Sequence, residues 1–278
     1  MEILFRIWIC LMLTCSCVTA LKRISHGLRT ARWSSNDVTS QLPASKKISS
    51  RLSMARSNDL TSQLFERKLW GEGYKYVIGV DEAGRGPLAG PVVAASLVCL
   101  DIDVLKDSEI DARDSKALSE KKREKIYEEI ISNPTKYQYD VTCIDHERID
   151  EINILRATME GMHTSIENLL KKLDFPEDKE ERDKVLAYAL VDGNKTPARV
   201  SIPTRAIVKG DAQVHSIALA SIVAKVTRDR MMVEFDKEYP GYGFAKHKGY
   251  GTREHIMNIH KLGPCPIHRM SFKPLKGR

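Results

Sequence analysis

Apolar and polar positions change period several times along the chain, and each change marks a predicted element. "DLTSQLFERKLWGEGY" places Leu60, Leu64, Leu69 and Trp70 near helical spacing, with Gly71 ending the helix. "KYVIGV" is β-branched between polar neighbours and predicts a strand, and "PVVAASLVCL" (91–100) is a nearly unbroken apolar run that predicts a second, buried one. From Ser119, "SEKKREKIYEEIISN" predicts an exposed helix, followed by a strand in "TKYQYDVTCI". Ile149, Ile152, Leu155, Met159 and Met162 keep a helical period through "HERIDEINILRATMEGMHTSIENLLKKL", which predicts one long helix with this stripe in the core. A charged excursion, "DFPEDKEERDKV", separates it from "LAYALVDGNK", a strand ending at Asp192, and "RAIVKGDA", a strand ending at Asp211. "SIALASIVAKVTRDRMMVEFDKEY" then predicts a helix of small and apolar residues. Strands interleaved with helices predict an α/β body around a sheet.

Composition narrows this picture. The 278 residues suffice for one full core, and nothing in the body approaches the roughly 20 apolar residues of a bilayer span, so no membrane is expected for the mature body. Six cysteines offer no Cys-x-x-Cys spacing and no histidine pair at zinc distance, which argues against a disulfide framework or a zinc site. The net charge of +7 resides entirely in residues 1–57, which hold nine basic and two acidic residues. Overall charge therefore says nothing about an anionic partner. From Lys195 onward, however, sixteen Lys or Arg face six acids, which predicts one basic region on the folded body.

The leader reads as an address. Residues 1–20 carry the apolar run "IWICLMLTCSCV" before small residues, as a secretory signal does, and residues 21–57 have the Ser- and Arg-rich, acid-poor composition of a transit sequence. Together they predict delivery to a plastid, with a mitochondrial presequence as the rival reading and cytoplasm or nucleus behind both. "SNDVTSQL" (35–42) returns as "SNDLTSQL" (57–64), a local duplication too short and polar for a repeat architecture. The expected organisation is a leader and linker over 1–57 and a catalytic domain over 58–278.

Three predicted strands end in acid beside glycine: "GVDEAGRG", "LVDGNK" and "VKGDA". Carboxylates at apolar strand ends are costly to desolvate and repel one another, so something must compensate. Mg²⁺ does so with a few carboxylate and water oxygens, and two such ions about 3.5–4 Å apart can drive a phosphodiester displacement. Because neighbouring strand side chains alternate in direction, Asp81 and Glu82 are expected to converge where the strand gives way to the loop. Acids beside glycine are also ordinary turn formers, and "VDG" or "KGD" alone would carry little.

"YVIGVDEAGRGPLAGPVVAA", "DSKALSEKKRE", "IDEINILRATMEGM", "LVDGNK", "VKGDAQVHSIALASIVAKVTRDRMM", "YPGYGFAKHKGYGTREH" and "HRMSF" follow the order and approximate spacing of type 2 ribonucleases H, and the chain resembles the prokaryotic ribonuclease HII family from about residue 60 onward. The resemblance implies an RNase H-like α/β fold, a central mixed β-sheet flanked by helices with a helical C-terminal portion. It implies that Asp81, Glu82, Asp192 and Asp211 hold two Mg²⁺ or Mn²⁺ ions and catalyse hydrolysis of the RNA strand of an RNA–DNA hybrid, including a single ribonucleotide in duplex DNA, leaving 3′-hydroxyl and 5′-phosphate ends. Primer removal and ribonucleotide excision in replication and repair follow from that activity. Gly84, Arg85 and Gly86 are implied to contact the 2′-hydroxyl and flanking phosphates, Tyr250 to pack on the next sugar, and Lys116, Lys209, Lys225 and Arg228 to lie near the nucleic acid. For these bases, solvated surface charge is the competing reading. His247 and Lys248 precede Tyr250 in a basic loop open to phosphate, and Asp114 and Asp229 are expected in supporting polar roles. "GPLAGPVVAA" is nearer the bacterial enzyme than the eukaryotic subunit, which implies a monomer. A hybrid-binding protein without catalysis would lack one of the four acids, and a resolvase or exonuclease of the same superfold would not need "GRG" with Tyr250.

Overall fold

The computed structural model describes residues 63–100, 118–182 and 184–276. The leader, Leu60, Asp114 and Lys116 lie outside them. Five strands, β1 (Tyr74–Ala83), β2 (Val92–Cys99), β3 (Tyr137–Ile144), β4 (Leu186–Asp192) and β5 (Thr204–Ile207), form one sheet in the order β3-β2-β1-β4-β5. β2 runs antiparallel to both its neighbours, while β4 runs parallel to β1 and β5, so the sheet is mixed.

Both faces are covered, which explains the unbroken apolar run of β2. Its Val93, Ala95, Leu97 and Cys99 pack toward the long helix α6 (His215–Glu238), and Ala94 and Val98 pack toward α4 (Ile154–Lys172). Met162, Ile166, Leu169 and Leu170 of α4 are buried there, each such side chain contributing about 1.5–3 kcal/mol. Ser96, in the middle of β2, donates its hydroxyl to the Ser165 carbonyl of α4 at 2.8 Å. α6 comes so close to β1 that a Cβ on Gly79 would sit 2.1 Å from the backbone carbon of Ser216. Only glycine permits that approach.

α1 (Leu64–Gly71) differs from its apolar pattern: Leu64 is exposed and Glu66 is buried. The reason lies in α6, whose Ser216 donates both its amide and its hydroxyl to Glu66 Oε1 at 2.9 Å, so the acid caps the long helix. Burial raises the Glu66 carboxyl above its ordinary range.

The single long helix expected after residue 145 is two, α3 (His146–Ile152) and α4. Asn153 breaks them with φ 70°, and its Oδ1 accepts the amides of Leu155 and Arg156 to start α4. The apolar stripe keeps its period across this break, so periodicity conceals it. α2 (Glu120–Ser132) begins where Ser119 accepts the Lys122 amide, and the charged excursion contains one turn of helix, α5 (Lys179–Arg182). Past α6 the chain is helical, with α7 (Phe244–His247) and α8 (Arg253–Leu262) around a satellite core of Leu88, Met232, Tyr242, Phe244, Ile259, Ile267 and Leu275. Among the described residues no helix is long and apolar enough to cross a membrane.

Candidate active site

Parallel pairing of β1 and β4 assembles the first acids. Val80 stands opposite Val191, so Asp81 and Asp192 follow at the same level on adjoining strands, at the carboxyl ends where open α/β sheets place their ligands. β1 does not give way to a loop between its acids, as the glycines suggested. It continues through both to Ala83, held by antiparallel pairing with β2. Nor does β5 reach Asp211. The strand stops at Ile207, Lys209 turns left-handed at φ 56°, and Asp211 sits in a 3₁₀ turn, Gly210–Ala212. That turn is joined to β4, because the Gly210 amide donates to Asp192 Oδ1 at 2.6 Å.

The electrostatics record how close the acids are. Asp81 is buried, and burial first, then repulsion from Glu82 and Asp192, pushes its carboxyl well above the usual carboxylate range. The Ser221 hydroxyl and the Glu82 amide, 2.7 Å away, pull in the other direction. Burial also raises Glu82, against the pull of Arg85, whose Nη1 donates to Glu82 Oε1 at 3.1 Å, while Asp192 adds to the rise. Asp211 is buried as well, on the turn that the Gly210 amide ties to Asp192. Among the described residues no three His, Cys, Asp or Glu side chains are drawn together tightly enough to grip a metal ion as they stand. The donor set is nonetheless all carboxylate oxygen, the chemistry that suits Mg²⁺ or Mn²⁺, and its crowded negative charge is what a hard cation would relieve.

Glu82 opens onto a cleft of ≈ 250 Å³ lined also by Ala83, Gly84, Arg85, Gly86, Ser221, Lys225, Arg228 and Tyr250. Tyr250 is 46% exposed, and its ring lies over Gly86, where an added Cβ would touch its Cε1 at 3.5 Å. Lys225 reaches the cleft from α6 paired with Asp229 at 2.6 Å. Lys209 is exposed beside the Asp211 turn and is not part of the cleft wall.

Arg228 is in the wall but not free to bind. It is buried, and its Nε, Nη1 and Nη2 donate to the carbonyls of Pro91, Lys248 and Ala89 at 3.0, 2.9 and 3.1 Å. Gly84 presses against it, at φ 98°, so closely that a Cβ would lie 2.1 Å from Arg228 Nε. Burial lowers this guanidinium to about 10. His247 is likewise turned inward, bonding the Tyr242 carbonyl through Nε2 and accepting the Gly249 amide through Nδ1. Lys248 Nζ donates to the Ala245 carbonyl at 2.5 Å.

Two residues of the site escape the sequence reading. Ser221 is one small residue in a helix of small residues, and its only signal is its position four before Lys225 and seven before Arg228, on one helical face. Arg269, in "HRMSF", carries no local signal of a role and is fully buried.

A family model described as Ribonuclease HII matches residues 78–275. Ribonuclease HII of Caldicellulosiruptor bescii is 50% identical over 219 residues, covering 79% of this chain and 97% of that protein. Ribonuclease HII of Francisella tularensis subsp. novicida is 48% identical over 200 residues, covering 72% of this chain and 97% of its own. Among solved structures, ribonuclease H2 from Pyrococcus horikoshii matches with a TM-score of 0.55 at 26% identity, over 72% of this chain and 95% of that one.

Proposed function

This chain belongs to the ribonuclease HII family, and from that premise we propose that it is an endonuclease hydrolysing the RNA strand of RNA–DNA hybrids, including a single ribonucleotide embedded in duplex DNA, to leave 3′-hydroxyl and 5′-phosphate ends. The observation that carries the reading is the shared cleft: Glu82, the one of the four acids in its wall, lines the same space as the Gly84–Gly86 loop and Tyr250, so an acid and the sugar-facing groups address the same nucleotide.

Asp81, Glu82, Asp192 and Asp211 are the residues that would hold two Mg²⁺ or Mn²⁺ ions. Bound there, the ions would supply an activated water and charge stabilisation at the leaving oxygen. The protein's own part is positional. The β1–β4 register and the Asp192–Gly210 bond fix three backbone segments that bear the acids. Ser221 donates to Asp81 and favours its ionised form. Arg85, half exposed, can exchange Glu82 for a phosphate and bind it as a fork. Lys225 adds a positive charge to the cleft wall, and the exposed Tyr250 ring offers an apolar face to the sugar after the ribonucleotide. Lys209 and Lys116 are proposed as outer phosphate contacts. The same reading makes the protein a monomer acting in primer removal and ribonucleotide excision, in the organelle that the leader addresses.

The test is a duplex carrying one ribonucleotide, incubated with the purified protein without metal, with Mg²⁺ and with Mn²⁺. Cleavage at the ribonucleotide, dependent on metal, with 3′-hydroxyl and 5′-phosphate products and no cutting of an all-DNA duplex, is expected. An intact ribonucleotide duplex in both metals would reject the proposal.

A further inference from the structure

The two largest fully buried side chains among the described residues are both arginines, Arg228 and Arg269. Neither forms an ion pair with a carboxylate there; both are satisfied by backbone carbonyls. Arg269 donates Nη2 to the Gly84 carbonyl at 2.6 Å, Nη1 to the Arg85 carbonyl at 3.1 Å and Nε to the Gly90 carbonyl at 2.9 Å. Its own amide donates to the Leu88 carbonyl at 2.8 Å, so the C-terminal segment and the 84–91 loop are bound together.

Two of those carbonyls belong to consecutive peptide units, and this has a geometric consequence. In a trans peptide the carbonyl of one residue and the N–H of the next point in opposite directions. With the Gly84 and Arg85 oxygens both turned toward Arg269, the N–H groups of Arg85 and Gly86 are turned away from it. Arg269 is not part of the cleft wall, whereas Gly84, Arg85 and Gly86 are. Neither amide donates to any group among the described residues. Adjacent N–H groups held in this way make a concave site for an oxygen acceptor.

We infer that Arg269 is a positioning residue for ribonucleotide recognition, fixing the Arg85 and Gly86 amides as a rigid pair of donors for one oxygen of the ribonucleotide, either its 2′-hydroxyl or the adjoining phosphate. The inference rests on the proposed reading of the cleft. Arginine suits the task because its planar guanidinium presents several donors in a fixed fork that reaches three separate carbonyls, while lysine offers one rotating ammonium. Charge-assisted bonds hold the peptide planes more stiffly than neutral ones. Burial first, and then repulsion from Arg228, lowers the guanidinium to about 9, which still leaves it charged at neutral pH. Donors fixed beforehand need no ordering when substrate arrives.

The experiment uses the full chain in three forms, unaltered, Arg269→Lys and Arg269→Gln, with melting curves beside the assays. Half-saturating concentration and maximal rate are measured with the single-ribonucleotide duplex, and competition by an all-DNA duplex is measured alongside. Both variants should raise the half-saturating concentration about tenfold, the worth of one well-made hydrogen bond, with a smaller change in maximal rate. If the all-DNA competitor weakens by the same factor the acceptor is a phosphate, and if it does not the acceptor is the 2′-hydroxyl; either supports the inference. Half-saturation unchanged in a folded variant overturns it. Should both variants fail to fold, the Arg85 and Gly86 amide proton resonances of the unaltered protein decide: they shift when the ribonucleotide duplex binds, and stationary resonances overturn the inference. An unaltered protein that does not cut the duplex rejects the proposed function, whereas one that cuts it beside unaffected variants rejects only the role of Arg269.

Discussion

Asp192 accepts the Gly210 amide at 2.6 Å, and this one bond ties the end of β4 to the turn that carries Asp211. The carboxylate therefore has a structural task in addition to its charge. Asn at this position keeps an oxygen acceptor and loses the charge, while Ala loses both. Asp192→Asn is expected to melt near the wild-type temperature yet lose at least about 100-fold in cleavage, the upper end of what losing an outer-shell support alone costs a metal site. Asp192→Ala should lose cleavage and also melt about 5 °C lower, given about 1.5–3 kcal/mol for a hydrogen bond to a charged group. Melting curves and cleavage of the single-ribonucleotide duplex measure both. Equal melting of the two variants would show that the Gly210 bond holds nothing together.

Tyr250 separates recognition from folding. The residue is 46% exposed with its ring over Gly86, whereas its backbone is anchored, the carbonyl accepting from Thr252 N at 2.8 Å. Tyr250→Ala should leave the melting temperature within about 2 °C of wild type, as for surface substitutions generally, while junction cleavage falls about tenfold or more. Loss of stability in proportion to activity would make the ring a packing element.

Much of the fold was legible because burial on two faces leaves a plain mark: β2 reads as an apolar run and α6 as a helix of small residues. Three acid-and-glycine strand ends together singled out the acids, and the family resemblance gave them their expected role. What the sequence could not show depends on partners far along the chain. Glu66 looks like a surface acid until Ser216, 150 residues later, claims it. The Arg269–Gly84 bond spans 185 residues and makes a base near the chain's end a buried brace. The break at Asn153 was hidden because Ile152 and Leu155 keep the apolar period through a left-handed residue. Asp211 was assigned to a strand because "RAIV" is β-branched up to the residue at which Lys209 reverses the chain.

The crowding of acids predicts a thermal response to metal. In metal-free protein at neutral pH the buried Asp81 faces Glu82 and Asp192 with only the Ser221 hydroxyl and the Glu82 amide against burial and repulsion, so Asp81→Asn should raise the melting temperature by a few degrees. Adding Mg²⁺ at about 100 times its Kd should stabilise the wild type by roughly 2.7 kcal/mol, and this increment should vanish in Asp81→Asn and Asp211→Asn. Both variants should still bind hybrid and fail to cut it. A wild type whose melting ignores Mg²⁺ and Mn²⁺ would refute the four-acid assignment, as would undiminished turnover by either variant.

The buried histidines near Tyr250 predict how acid acts on the fold. His255 and His268 approach at 3.1 Å through their Nε2 atoms, so one must donate and the other accept. His255 Nδ1 bonds the Tyr250 carbonyl at 2.9 Å, and His268 Nδ1 accepts the Cys265 amide at 2.9 Å, an arrangement that is complete with both rings neutral. Burial, with His247 nearby and, for His268, also His255 and His146, lowers each ring to about 4 from the usual value near 6.5. Between those values the unfolded chain binds more protons than the folded one, so this contribution to stability is full above about pH 6.5 and drains away as pH falls through 4. Asp81, Glu82 and Glu66 are shifted upward and act with the opposite sign, so the histidine part must be read as a difference. His255→Gln should melt below wild type at pH 7, and the gap should narrow steadily toward pH 4 because the variant lacks one of the two protonations. A gap of constant width across that range would mean that His255 takes up its proton alike in the folded and the unfolded chain, contrary to the burial and hydrogen bonds that hold the pair neutral.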